Sequence, residues 1–110
     1  MEFDSRPFGQ AMVCVIKGRL DVNGAPEFES RCQPLLDGEH KMLVVDMSGL
    51  EFVSSAGLRA IISMGKRAKA KGVSLGFCGM SEMVRDVFEI AGMLGLFPAW
   101  GTVEEALRQP

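Results

Sequence analysis

Short apolar runs alternate with helical patterns along the chain. Ala11 to Ile16 (AMVCVI) and Met42 to Met47 (MLVVDM) are rich in β-branched residues and nearly unbroken in hydrophobicity. That is the pattern of strands covered on both faces. Val73 to Phe77 alternates apolar and small residues between Gly72 and Gly79. Glu2 to Ser5 is suited to pair with Ala11 to Lys17 through a turn holding Pro7 and Gly9. Leu96 to Trp100 reads as a last strand, which Pro98 confines to an edge or an end.

Helical spacing fills the intervals. Leu58, Ile61, Ile62, Gly65 and Ala68 recur at i, i+3, i+4 and i+7, and Gly72 closes the pattern, with Lys69 and Lys71 suited to the negative end of the helix dipole. A second pattern starts at Ser81, runs through Met83, Val84, Val87, Phe88 and Ala91, and closes at Gly92. TVEE, from Thr102 to Glu105, is a capping box that opens a short terminal helix. From Ala25 to Leu36, residues Ala25, Phe28, Cys32 and Leu35 share one helical face, and Pro26 suits a first turn. Pro34 costs roughly 3 kcal/mol inside a helix, so a kink or an end is expected there. Strands alternating with helices predict an α/β sheet with a parallel part, flanked by helices.

The length of 110 residues suits one domain, and an apolar content of 47% supplies a core without staples. A formal charge of −2 offers no overall attraction to nucleic acid or to an anionic membrane. Cys14, Cys32 and Cys78 are odd in number and far apart in sequence, and no Cys/His spacing suits a metal. Cysteines within apolar runs behave as small hydrophobes, which points to a reducing cytosol. The acidic-polar start, MEFDSRPFGQ, does not resemble a signal peptide, and no apolar stretch approaches the ~20 residues of a membrane span. A soluble cytoplasmic protein is expected.

Val44 to Arg59 (VVDMSGLEFVSSAGLR) carries the chemistry. A buried strand ends in Asp46, Gly49 then permits a turn, Leu50 and Phe52 return to the core, and Ser54 and Ser55 arrive where a helix begins. A serine there accepts a hydrogen bond from an orphan amide of the first turn. Phosphorylated, it would place its charge at the positive end of the helix dipole, altering the surface while leaving the fold intact.

DMSGLEFVSSAGL resembles the signature of the STAS domains, the family of bacterial anti-sigma factor antagonists and sulphate-transporter tails. VIKGRLDVNGAPEF is similar to that family's second strand, its Gly-x-Leu-Asp turn and first helix, and LGFCGMSEMVRDVFEIAGMLGLFPAWGTVEEAL to its closing strand, helix and tail. The resemblance implies one STAS-like α/β domain over residues 1–110, with a mixed sheet of four to five strands flanked by helices. It implies no catalytic residue, metal or cofactor. It implies partner switching: the unphosphorylated protein binds an anti-sigma factor that is also a serine kinase, freeing a sigma factor for transcription. Phosphorylation then ends the binding, and a serine phosphatase restores it. The phosphoacceptor falls on Ser55, with Ser54 as the alternative hydroxyl, and Asp21, Ser54, Ser55, Ala56, Gly57 and Leu58 are the implied partner-binding residues. Two positions depart from the family: Ser54 stands where an Asp is usual and Ala56 where a Ser is usual. The first departure removes a negative charge beside the switch.

Plainer roles stand beside these. Ser54 and Ser55 also suit a helix cap, and Asp46 an ordinary strand end. Arg59, Lys66, Arg67, Lys69 and Lys71 form a basic run that reads as a solvated helix face, although it would also suit an acidic partner. The methionines and Trp100 read as packing, while MLGLF (Met93 to Phe97) suits an exposed contact. Enzymatic readings lack parts: no Gly-x-Ser-x-Gly elbow surrounds Ser55, and His40 belongs at the opposite edge of the sheet. Gly65-Lys66 is followed by Arg67 inside a helix, which gives no phosphate loop and no support for direct nucleotide binding. The rival reading is a STAS module without a phosphate switch, either a constitutive adaptor or a soluble subunit of a membrane transport complex.

Overall fold

Gly9, at φ +60°, lets the chain reverse after its first strand. The computed structural model describes residues 1–108; positions 109 and 110 of the expected domain lie outside the described residues. Strand β1 (Glu2–Phe8) pairs antiparallel with β2 (Ala11–Leu20), and Phe8 lies opposite Ala11. The turn is therefore Gly9-Gln10 alone. Pro7 belongs to β1, an edge strand, where a residue without an N–H is tolerated.

β3 (Met42–Val53), β4 (Ser74–Cys78) and β5 (Ala99–Trp100) follow in parallel, giving a mixed sheet in the order β1-β2-β3-β4-β5. Between them run α1 (Gly24–Leu36), α2 (Ser55–Ala70) and α3 (Glu82–Ile90), with a 3-10 turn (Met93–Gly95) after α3. These three helices cover one face, where Cys14, Ile16, Leu43, Val45, Met47 and Phe77 meet Phe28, Ile61 and Phe88. A smaller cluster on the other face gathers Val13, Val44 and Cys78 under Ala106 of α4 (Val103–Leu107). Alternate residues of β2 and β3 thus bury on opposite faces, which is why these strands read as continuous apolar runs.

The turn expected at Gly49 is absent: β3 continues through it to Val53. Between the pairs Val15–Asp46 and Lys17–Gly49, and again between Gly18–Leu50 and Arg19–Phe52, β3 carries one more residue than β2. Such bulges re-phase a strand. They let Met47, Leu50 and Val53, spaced by three, all enter the same core. Phe52 does not return to the core; it lies under the Arg19 guanidinium, 4.4 Å from the ring centroid.

Pro34 does not end α1 where expected: it lies inside the helix, which runs on to Leu36 before the Asp37 amide donates to the Pro34 carbonyl at 3.2 Å. The α3 face is narrower than expected: Val84 and Phe88 are buried, whereas Met83 and Ala91 are exposed. β5 is confined to Ala99–Trp100, and Trp100 lies over Gly76, where a Cβ would come within 2.5 Å of the ring. Of the MLGLF segment, Met93 is buried and only Leu96 is a large exposed side chain. All three cysteines are free and buried. The Cys14 thiol and burial push Cys32 far above its ordinary value, and burial pushes Cys78 up to about 12. Both thiols therefore stay protonated and serve as packing groups.

Candidate functional site: the junction of β3 and α2

β2 and β3 end side by side, with Leu20 opposite Val53. The next residue, Ser54, donates its amide to the Leu20 carbonyl at 3.0 Å and leaves the sheet in an extended conformation. Its hydroxyl then does the work of a cap, accepting from the Gly57 amide at 3.2 Å while facing the Leu20 carbonyl at 3.5 Å. Gly57 is buried in this corner. A Cβ there would stand 2.3 Å from the Leu20 carbonyl oxygen and 2.9 Å from Val53 Cγ2, so the first turn of α2 is pressed against the end of β2.

Ser55 is the first residue of α2 and is exposed, and its side chain makes no hydrogen bond among the described residues. Ala56 and Leu58 are half-buried and pack on the main core. The six expected contact residues therefore divide. Ser55 is exposed, Asp21 is half-buried with its carboxylate turned to its own loop, Ser54 caps, Ala56 and Leu58 anchor the turn, and Gly57 permits its close approach.

Asp21 follows Leu20 directly, so it and Ser55 flank the Ser54–Leu20 hydrogen bond at one end of the sheet. Its Oδ1 accepts from the amides of Asn23 and Gly24, both at 3.0 Å, and its Oδ2 lies 3.5 Å from Arg19 Nε. The Gly24 amide, assisted by the Asn23 amide and the Arg19 guanidinium, holds the Asp21 carboxyl below its ordinary value. Asp21 is thus also the group that starts α1, since Asn23 makes no side-chain cap.

Charge at the helix starts is uneven. The first turns of α1, α3 and α4 carry Glu27, Glu82 and the pair Glu104 and Glu105, whereas α2 carries no acidic residue there. Arg59, exposed and four residues after Ser55, is the nearest basic position along α2. A dianion on Ser55 would supply the negative charge that the other helix starts possess.

His40 precedes β3, a full strand from Ser55. Asp46 lies mid-strand and accepts from the Ser48 amide at 3.0 Å, at the first bulge. No group of His, Cys, Asp and Glu side chains able to hold a metal ion is present among the described residues. No helix among them is long and apolar enough to cross a membrane. One feature of the site escaped the sequence reading: Val22, between Asp21 and Asn23, is 71% exposed. The signal for it is an apolar residue within an otherwise polar turn.

A STAS domain family model matches residues 3–106. The chain belongs to the STAS domain family. BtrV of Bordetella bronchiseptica, provisionally named an anti-sigma factor antagonist, is 30% identical over 95 residues, covering 86% of this chain and 82% of that protein. An anti-sigma factor antagonist from Mycobacterium paratuberculosis has a similar structure, with TM-score 0.87 and 22% identity over 96% of this chain and 90% of its own. The antagonist SpoIIAA in its unphosphorylated form gives TM-score 0.82 and 20% identity, over 96% of this chain and 93% of its own. The phosphorylated form of the Bacillus SpoIIAA gives 0.75 and 19%, over 96% of both chains. A protein named as an anti-sigma factor antagonist is thus a relative of this STAS domain by sequence, and solved antagonists share its fold.

Proposed function

We propose that this STAS domain is a cytoplasmic anti-sigma factor antagonist that works by partner switching, with Ser55 as its phosphoacceptor. The unphosphorylated form binds an anti-sigma factor with serine-kinase activity and so frees a sigma factor; phosphorylation of Ser55 ends the binding and a serine phosphatase restores it. Its effect on transcription passes through that partner, without direct contact with nucleic acid or insertion into a membrane. The partner covers Ser55 and Asp21, with Val22 beside them, and borders on Ser54, Ala56, Gly57 and Leu58.

The observation that carries this reading is the division of labour between two adjacent serines. Ser54 already caps α2, so modification of the free Ser55 hydroxyl breaks no structural hydrogen bond. A phosphoserine adds roughly −1.5 to −2 charges at neutral pH. Burying that charge unpaired in a desolvated interface costs about 2–5 kcal/mol, which weakens binding roughly 30-fold to several thousand-fold. The switch acts on the surface and leaves the helix start in place.

Site-localised mass spectrometry of the protein from growing and stressed cells tests the proposal. One phosphate on Ser55, changing in occupancy with condition, supports it. A phosphate on Ser54 alone contradicts the division of labour, and an unmodified protein under every condition favours the constitutive adaptor or transport subunit.

A further inference from the structure

Beside the second half of α2 lies an open apolar groove of about 390 Å³, walled by Ile62, Leu75, Leu96 and Phe97. Phe97 fits a notch at Gly65, where a Cβ would come within 2.6 Å of the ring. Leu96 stays 66% exposed. Lys66 and Lys69 stand on the groove's rim, and their ammonium groups make no ion pair or hydrogen bond among the described residues. The other cations at this end of α2 are engaged: Arg67 donates to Gln33 at 2.7 Å, and Lys71 meets Asp37 at 2.7 Å.

α3 carries the complementary surface. With Val84 and Phe88 turned into the core, Met83, Asp86 and Ile90 recur at i, i+3 and i+7 and form one outer stripe. Met83 is 53% and Ile90 88% exposed. Glu82 and Glu89 extend the acidic side of the stripe, and neither they nor Asp86 form an ion pair among the described residues. An apolar ridge with unpaired carboxylates thus matches an apolar groove with unpaired ammonium groups. α3 leads through the 3-10 turn directly into Leu96 and Phe97, so ridge and groove are neighbours along one stretch of chain. Neighbouring complementary surfaces suit a reciprocal contact about a twofold axis.

We propose that a second copy of this chain docks here. The Met83–Asp86–Ile90 ridge of each copy enters the groove of the other, with Asp86 and Glu89 facing Lys66 and Lys69. The contact is apolar at its centre and charged at its rim, so it weakens with salt. Lys66 follows Ser55 by eleven residues, about 16 Å along the helix axis, so self-association leaves Ser55 open to its own partner.

Sedimentation velocity on the full chain, over a concentration series at low and high salt, tests this. The wild type is expected to form a dimer that dissociates with salt. Lys66→Glu/Lys69→Glu and Asp86→Lys/Glu89→Lys should each weaken the dimer at least about tenfold, and an equimolar mixture of the two should restore it. Ile90→Ser/Leu96→Ser, at exposed positions that leave the core intact, should weaken it at low salt, where the wild-type dimer is present. A wild type that stays monomeric at every concentration overturns the proposal. So does a dimer indifferent to these substitutions, or a mixture that associates no better than its components.

Discussion

Two helices of this STAS domain start with the same cap and end up with different surfaces. Ser54 accepts from the Gly57 amide at 3.2 Å, and Ser81 accepts from the Val84 amide at 3.2 Å. Each serine is in an extended conformation, Ser54 directly after β3 and Ser81 three residues after the end of β4. After the cap they diverge. At α3 the first helical residue is Glu82, a permanent negative charge at the positive end of the dipole; at α2 it is Ser55, neutral and free. Three residues after the cap, α3 has Val84, whose side chain enters the core, while α2 has Gly57, whose missing side chain lets the turn press against β2. The difference teaches that a helix start can be complete in hydrogen bonds and still leave its charge open to adjustment. On the proposed reading, α2 acquires by modification what α3 carries by sequence.

The sharpest way to break this comparison is at the third residue. Gly57→Ala sets a methyl 2.3 Å from the Leu20 carbonyl oxygen, which only backbone movement relieves. It should destabilise the fold by about 2–4 kcal/mol in urea unfolding, whereas Val84→Ala loses only a buried side chain's packing.

The caps come next. Ser54→Ala and Ser81→Ala should each cost about 1 kcal/mol, and a Ser54→Ala variant as stable as wild type would dissolve the parallel. A smaller effect has the opposite sign. Ser55→Glu should stabilise the fold by about 0.3–1 kcal/mol, because it places negative charge in the first turn of α2. Glu82→Gln should lose a similar amount at α3. Thermal unfolding at low ionic strength reads both.

The smallest effect concerns the neighbouring start of α1, where Asp21 is held below its ordinary value of 3.8. A carboxyl depressed in the folded state stabilises above its unfolded value, and that contribution fades as pH falls through the lower folded value. Asp21→Asn should therefore lower the melting temperature at neutral pH and flatten its decline in acid below about pH 4.

Much of this was legible in the chain. The strands at Ala11 and Met42 declared themselves because both of their faces are covered, and Ser81, Gly72 and the Thr102–Glu105 box marked helix ends by their own local chemistry. Gly49 misled because a glycine after an apolar run reads as a turn, whereas here it lies inside β3, whose core residues Met47, Leu50 and Val53 depart from regular alternation. Only the register with β2 reveals that two bulges produce it. Phe52 read as core for the same reason, since its contact with Arg19 depends on that register. At the site, the serine pair was visible, but which serine caps was not. That choice rests on Ser54 reaching both the Leu20 carbonyl and the Gly57 amide, a contact across 34 positions of sequence. That Cys14 and Cys32 share one core cluster was hidden likewise, because it depends on α1 packing on β2.

The central claim is that Ser55 carries a removable charge which decides binding without disturbing the fold. Calorimetric titration of the anti-sigma factor partner against two forms of this protein tests it most directly, one unmodified and one homogeneously phosphorylated on Ser55, with unfolding measured on both. The expected result is an affinity at least about 30-fold lower for the phosphorylated form, together with equal or slightly greater stability. Equal affinities for the two forms, or lost affinity accompanied by a destabilised fold, would contradict it.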